Sequence, residues 1–148
     1  MRTPSSTLVL DAAVLVAAVR GRSSGAILAA ASAASLVTTD RVVHEARRRI
    51  ELGLKRPELS EVLYALLAEV TVVPVAALAP HLPRSEVVLR DAVPSRNGST
   101  KDAHVLALAW SADADVWTTD RDFGGTGTAT WSTANLMRGL ADAASDGG

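Results

Sequence analysis

Short apolar runs alternate along this chain with longer stretches of helical period. Thr7–Leu10, Leu36–Thr39, Val70–Val75 and Val116–Thr119 are compact blocks of Val, Leu, Thr and Trp, interrupted only by Pro74. Continuous apolar runs of that length mark strands buried on both faces, as in a parallel sheet. Thr128–Ser132 predicts a fifth strand. Between the strands, Ala12–Val19 and Ser24–Ala33 read as helices, and Asp40 is the predicted N-cap of a helix to about Leu54. Pro57 suits the first turn of a helix reaching Glu69, where Leu59, Leu63, Leu66 and Leu67 give the period. Further helices are predicted over Arg84–Ala92, Lys101–Ala112 (capped by Ser99 or Thr100) and Ala134–Leu140, with a polar loop at Pro94–Ser99.

The order β-α-α-β-α-α-β-α-α-β-β-α defines an α/β protein with three α/β/α layers and a mostly parallel central sheet of four to five strands. The length, 148 residues, suits a single domain with a real core. Order is expected over about 7–141, with Met1–Ser6 and Ala143–Gly148 loose.

Composition narrows the chemistry. Apolar residues make up 48% and aromatics only 3%, so the core is expected to rest on small helix-on-sheet contacts. Cysteine is absent, which excludes disulfides and thiolate metal sites and fits a reducing cytoplasm. Three scattered histidines, His44, His81 and His104, give zinc poor support. A net charge of −1 does not advertise nucleic-acid binding by the molecule as a whole. The N-terminus imitates a secretion signal, but Asp11 interrupts its apolar run, and Ser23–Thr39 is too polar to span a bilayer. A soluble, cytoplasmic protein without membrane contact is expected.

Four acids stand where a predicted strand ends or a helix begins: Asp11, Glu45, Asp102 and Asp120. In a parallel α/β sheet these positions fall at the carboxyl edge, where such folds keep their crevices. Carboxylates so gathered repel unless a hard, oxygen-preferring cation lies among them, so Mg²⁺ or Mn²⁺ is implied. Each acid also has a plainer use. Asp11 is placed to cap the helix at Ala12, Asp102 to meet a helix dipole, and Glu45 to pair with Arg49 at i,i+4. Asp120 and Asp122 flank Arg121 in a turn, with Asp122 a secondary candidate for the cation. His104, two residues after Asp102, is expected at the surface. Gly124–Thr128 lacks a P-loop lysine, no GxGxxG follows the first strand, and no nucleophile elbow is present.

Taken in order, Leu8-Val9-Leu10-Asp11, Val42-Val43-His44-Glu45, Lys101-Asp102-Ala103-His104 and Val116-Trp117-Thr118-Thr119-Asp120-Arg121-Asp122-Phe123 resemble the PIN-domain family of metal-dependent nucleases. The resemblance runs from Thr7 to about Leu140. It implies Asp11, Glu45, Asp102 and Asp120 as the catalytic acids, with Asp11, Asp102, Asp120 and Asp122 on the metal. It implies Arg47, Arg49, Lys101 and Thr118 as substrate contacts, Thr118 also orienting a carboxylate or water. Small PIN proteins of this length are commonly VapC-type toxins, endoribonucleases that dimerise and are held by a small antitoxin. An RNA substrate, an antitoxin and a homodimer are therefore implied partners. The chain departs from the family at Ala12 and Ala13, where Ser, Thr or Asn usually supports the first aspartate; such a loss typically weakens metal affinity or activity ~10–100-fold.

The expected function is thus Mg²⁺- or Mn²⁺-dependent hydrolysis of RNA phosphodiesters. Arg20, Arg22, Arg47 to Arg49 and Arg96 are candidates to draw in the backbone. One rival is a PIN-like scaffold that binds protein or RNA without cleaving. The other is a small-molecule phosphohydrolase, which a deep apolar pocket would favour over a shallow, arginine-rimmed groove.

Overall fold

The computed structural model describes residues 2–21, 24–92, 102–119, 123 and 126–147. Five strands form one sheet: β1 (Thr7–Leu10), β2 (Ser35–Thr39), β3 (Val70–Val73), β4 (Asp115–Trp117) and β5 (Thr130–Trp131). Their order is β3-β2-β1-β4-β5 and every pairing is parallel. Leu8, Val9 and Leu10 are wholly buried because β1 is central and helices cover both faces. β3 stops at Val73 because Pro74 has no N–H for the ladder.

Helices α1 (Ala12–Val19), α2 (Ser24–Ala33), α3 (Asp40–Arg48), α4 (Ser60–Leu67) and α7 (Thr133–Gly147) form one layer, with α1 packed on α2, α3 and α4 and α7 on α2. On the other face α6 (Ala103–Ser111) lies across β1, β2 and β4, backed by α5 (Leu82–Ala92). Chain direction explains the split. Right-handed crossovers that step from β1 to β2 to β3 put their helices on one side, and the return to β4 puts its helices on the other. The reversal leaves a switch point between β1 and β4, where Leu10 pairs with Trp117 and the Asp11 N–H reaches the Trp117 carbonyl at 3.3 Å.

The expected strand–helix order and layered parallel sheet are present, and several local expectations change. Thr39, not Asp40, caps α3: its hydroxyl accepts the Val42 N–H at 3.0 Å, while the Asp40 carboxylate accepts the Val75 N–H at 2.9 Å. α3 runs into a π turn over Arg49–Gly53, with the Leu54 N–H on the Arg49 carbonyl at 2.8 Å. Residues 57–59 form a 3₁₀ turn before α4. Asp102 is the N-cap residue of α6, without a side-chain cap bond. The predicted loop Pro94–Ser99 and its caps lie outside the described residues.

Both termini are more tied down than their composition suggests. α7 continues to Gly147, well beyond the expected end at Leu140. The Ser5 N–H reaches the Asp115 carboxylate at 3.0 Å, and the Arg2 guanidinium stacks over Trp131 at 4.2 Å. A Cβ at Gly139 would stand 3.1 Å from Pro4 and from Trp131, so the arm, β5 and α7 meet this closely only because that residue is glycine.

Candidate active site

The site grows out of the ends of three elements. Asp11 follows β1 directly, where strand backbone gives way to α1. One carboxylate oxygen accepts the Val14 N–H at 3.0 Å as a helix cap, and the other accepts the Thr118 hydroxyl just past β4. Asp11 is only 8% exposed and Thr118 is buried, so the pair bridges the switch point beneath the surface. One side chain therefore both caps α1 and bridges to the end of β4. Of the two roles implied for Thr118, orientation of the carboxylate is the one its position supports.

Glu45 lies on α3 and Asp102 at the start of α6. With Asp11, Ala12, Ala13 and Arg49 they line a small cavity of about 40 Å³, room for roughly three water-sized occupants. Glu45 reaches Arg49 at 2.7 Å, the helical pair expected from its spacing. Both side chains are partly exposed, and exposed pairs of this spacing contribute only about 0.3–0.5 kcal/mol. That contact is easily exchanged for another.

A second cavity of about 540 Å³ shares Glu45, Arg49 and Asp102 with the first and extends along α3 past Arg41, Arg48 and Leu52. Arg47 points elsewhere, donating to the Tyr64 hydroxyl at 3.2 Å, and lines neither cavity. Lys101, Asp120 and Asp122, together with Arg22 and Arg96, lie outside the described residues. Arg20 borders a separate cavity with Arg56 and lines neither of the two at the acids.

His104 corrects the sequence reading. It is 2% exposed, not a surface histidine, because α6 is covered on almost every side: Ala103 to Ala109 are all buried. A helix sandwiched between sheet and α5 has no solvent face for a 100° rotation to find. The Thr39 hydroxyl that accepts the Val42 N–H is also hydrogen-bonded to His104 Nδ1 at 2.8 Å, so the ring is anchored to the start of α3. Burial first, and then the nearby Arg41 guanidinium, push its pKa from 6.5 down to about 4. The sequence signal missed here was seven consecutive apolar-compatible positions after Asp102, too many for an amphipathic stripe.

The donor chemistry fits a hard cation: the small cavity offers carboxylate oxygens and no imidazole or sulfur. Among the described residues, no three acids or histidines stand close enough together to hold an ion as they are. Asp11 is fixed, whereas Glu45 is drawn aside by Arg49.

A parallel α/β sheet with acids gathered at its switch point is a frame that places chemistry at the sheet's carboxyl edge. A family model described as PIN domain matches residues 9–141, and the chain belongs to the PIN-domain family. Its members are generally nucleases that use divalent metal ions. The chain is also similar in fold to the crystal structure of PAE2754 from Pyrobaculum aerophilum. The TM-score is 0.63 at 17% sequence identity, over 92% of this chain and 96% of that one. No curated protein sequence matches the chain. Among the described residues, no helix is long and apolar enough to cross a membrane.

Proposed function

We propose that this protein is a Mg²⁺- or Mn²⁺-dependent endoribonuclease, acting as the toxin of a toxin–antitoxin pair in the cytoplasm. The observation that carries the reading is the convergence of Asp11, Glu45 and Asp102, from three separate elements, on one cavity at the sheet's switch point. Asp120 and Asp122 follow β4 in sequence and belong to the proposed set on the strength of the family motif. Asp11, Asp102, Asp120 and Asp122 would hold the ion, with Glu45 joining them. When bound, such a cation supplies polarisation of a phosphoryl oxygen and acidification of a water.

The chain's own residues do the rest. Thr118 and the Val14 N–H fix the Asp11 carboxylate, so the first ligand is set before substrate arrives. Arg49, released from Glu45, is placed to meet a substrate phosphate, with Lys101 as a further contact. The Thr39–His104 bond ties the start of α3 to α6, and so the Glu45 helix to the Asp102 helix. A homodimer and a small antitoxin complete the proposal on the family resemblance alone.

One observation favours the scaffold reading: Ala12 and Ala13 line the small cavity and offer no hydroxyl or amide to the acids. A fluorescent RNA-cleavage assay separates the two. We expect cleavage with Mg²⁺ or Mn²⁺, none in chelator, and at least ~100-fold loss in Asp11→Asn and Asp102→Asn. Full metal-dependent cleavage by both variants would remove the mechanism, and no cleavage by the unsubstituted chain would favour the scaffold.

A further inference from the structure

The α3 face carries more than its acid. Arg41, His44, Arg48 and Leu52 follow one another at spacings of three and four, a single stripe along the helix and its π turn. All four line the 540 Å³ cavity that opens onto Glu45 and Asp102. Among the described residues, the arginines near the stripe differ in one respect. Arg47 is engaged by Tyr64, Arg49 by Glu45 and Arg56 by Glu58. The exposed Arg41 and Arg48 guanidiniums donate to no acceptor among the described residues.

Between these cations and the end of the cavity lies an apolar surface. Leu52 is 64% exposed, the most of any large hydrophobic side chain among the described residues. The π turn puts it there, since Ile50 remains wholly buried while Leu52 is turned outward. Beside it, a Cβ at Gly53 would meet nothing within 4 Å, so the space over the turn is open.

We propose that this cavity is a nucleotide subsite next to the acids, in which Arg41 and Arg48 hold the flanking phosphates and an unstacked base rests on Leu52. The proposal rests on the nuclease reading for its ligand class and adds what that reading lacks, a place for a base. Its volume of about 540 Å³ is in the range of small-ligand pockets, roughly 300–1,000 Å³, and suits a single nucleotide. Bases within a duplex are stacked and paired, so only a single strand presents one to this surface. Unengaged guanidiniums favour phosphate, and an acidic peptide alone would leave Leu52 without a function.

Fluorescence anisotropy with a short labelled oligoribonucleotide tests this, using the full chain carrying Asp11→Asn so that the strand survives. Arg41→Ala/Arg48→Ala should weaken binding by at least ~10-fold and lower the slope of log K against log salt by about 1.4, some 0.7 for each phosphate on a single strand. Leu52→Ala should weaken binding ~5-fold, and should have no effect on an oligonucleotide made abasic at the nucleotide it contacts. All three positions are exposed, so circular dichroism should be unchanged.

Unaltered affinity in the double variant, equal binding of a matched duplex, or equal competition by polyglutamate would overturn the subsite. Cleavage by the unsubstituted chain is scored separately. Stripe-dependent binding without cleavage would leave the subsite standing and the nuclease reading fallen. Cleavage with stripe-independent binding would do the reverse.

Discussion

Two corners of the same cavity are built in opposite ways. Asp11 stands at the end of the central strand, with ladders to β2 and β4 holding its backbone, and both its oxygens engaged by Val14 and Thr118. Glu45 stands more than one turn into a helix, its side chain 35% exposed and held by one exposed arginine. The first carboxylate is part of the frame, and the second is adjustable. In the proposed cation site the fixed carboxylate would give position and the adjustable one would close on the ion after it enters with its water.

The largest effect should come from emptying the fixed corner. Asp11→Ala leaves the Val14 N–H uncapped and removes the carboxylate that accepts the Thr118 hydroxyl. A lost cap costs about 1 kcal/mol, and a lost hydrogen bond to a charged group about 1.5–3 kcal/mol. Removing a buried charge beside other acids offsets part of this, so a net loss of about 2 kcal/mol in urea unfolding is expected. Asp11→Asn keeps an oxygen for the Val14 N–H and an amide from which the Thr118 hydroxyl can turn to accept, and should unfold within about 0.5 kcal/mol of the parent. Glu45→Ala should match that small value. Equal destabilisation by Asp11→Ala and Glu45→Ala would erase the distinction between the corners.

His104 extends the fixed side across to α6 and gives it a pH signature. The native ring takes up its proton only near pH 4, whereas the unfolded chain does so near 6.5. Between those values the unfolded state binds more protons, so stability is fully present above 6.5 and is lost as pH falls toward 4. From pH 7.5 to pH 5 the expected loss is about 2 kcal/mol. Chemical denaturation across that range checks it, and His104→Gln should flatten this part of the curve. A slope identical in parent and variant would show that the ring titrates normally and that its burial counts for little.

Legibility in the sequence followed the same division. Frame residues were readable because they sit where regular structure must end. β1, α1 and α2 have the boundaries that apolar runs and Gly21 dictate, and Asp11 stood out as a charge directly behind a buried strand. Features set by tertiary packing were not. The burial of His104 depends on α5 covering α6, which no local period reveals. The exchange of Asp40 for Thr39 as cap depends on Val75 arriving to claim the aspartate. The π turn depends on which of Ile50 and Leu52 the core can accept. The Arg41 stripe is legible by counting threes and fours, but sequence alone does not say which of Arg47, Arg48 and Arg49 faces the acids, because the fold gives Arg47 to Tyr64. The acids after β4, Asp120 and Asp122, rest on the motif alone and lie outside the described residues.

The smallest effect on folding, and the most pointed test of the adjustable corner, is Arg49→Ala. With both partners partly exposed, the Glu45–Arg49 pair is screened by solvent and its loss should shift unfolding by less than about 0.5 kcal/mol. Its effect on a cation should be larger and opposite in sign. On the proposed reading Arg49 and a divalent ion compete for the Glu45 carboxylate, which must leave one to meet the other. Removing the guanidinium ends that competition, so Mn²⁺ should bind more tightly by isothermal titration, by roughly 3-fold, the linked equivalent of about 0.6 kcal/mol. Cleavage should nevertheless fall, because the same guanidinium is proposed to meet the substrate phosphate. Tighter ion binding with slower turnover would show a carboxylate held in reserve by its own helix. Unchanged affinity would mean that Glu45 never reaches the ion, and that the site is closed by the acids beyond β4 instead.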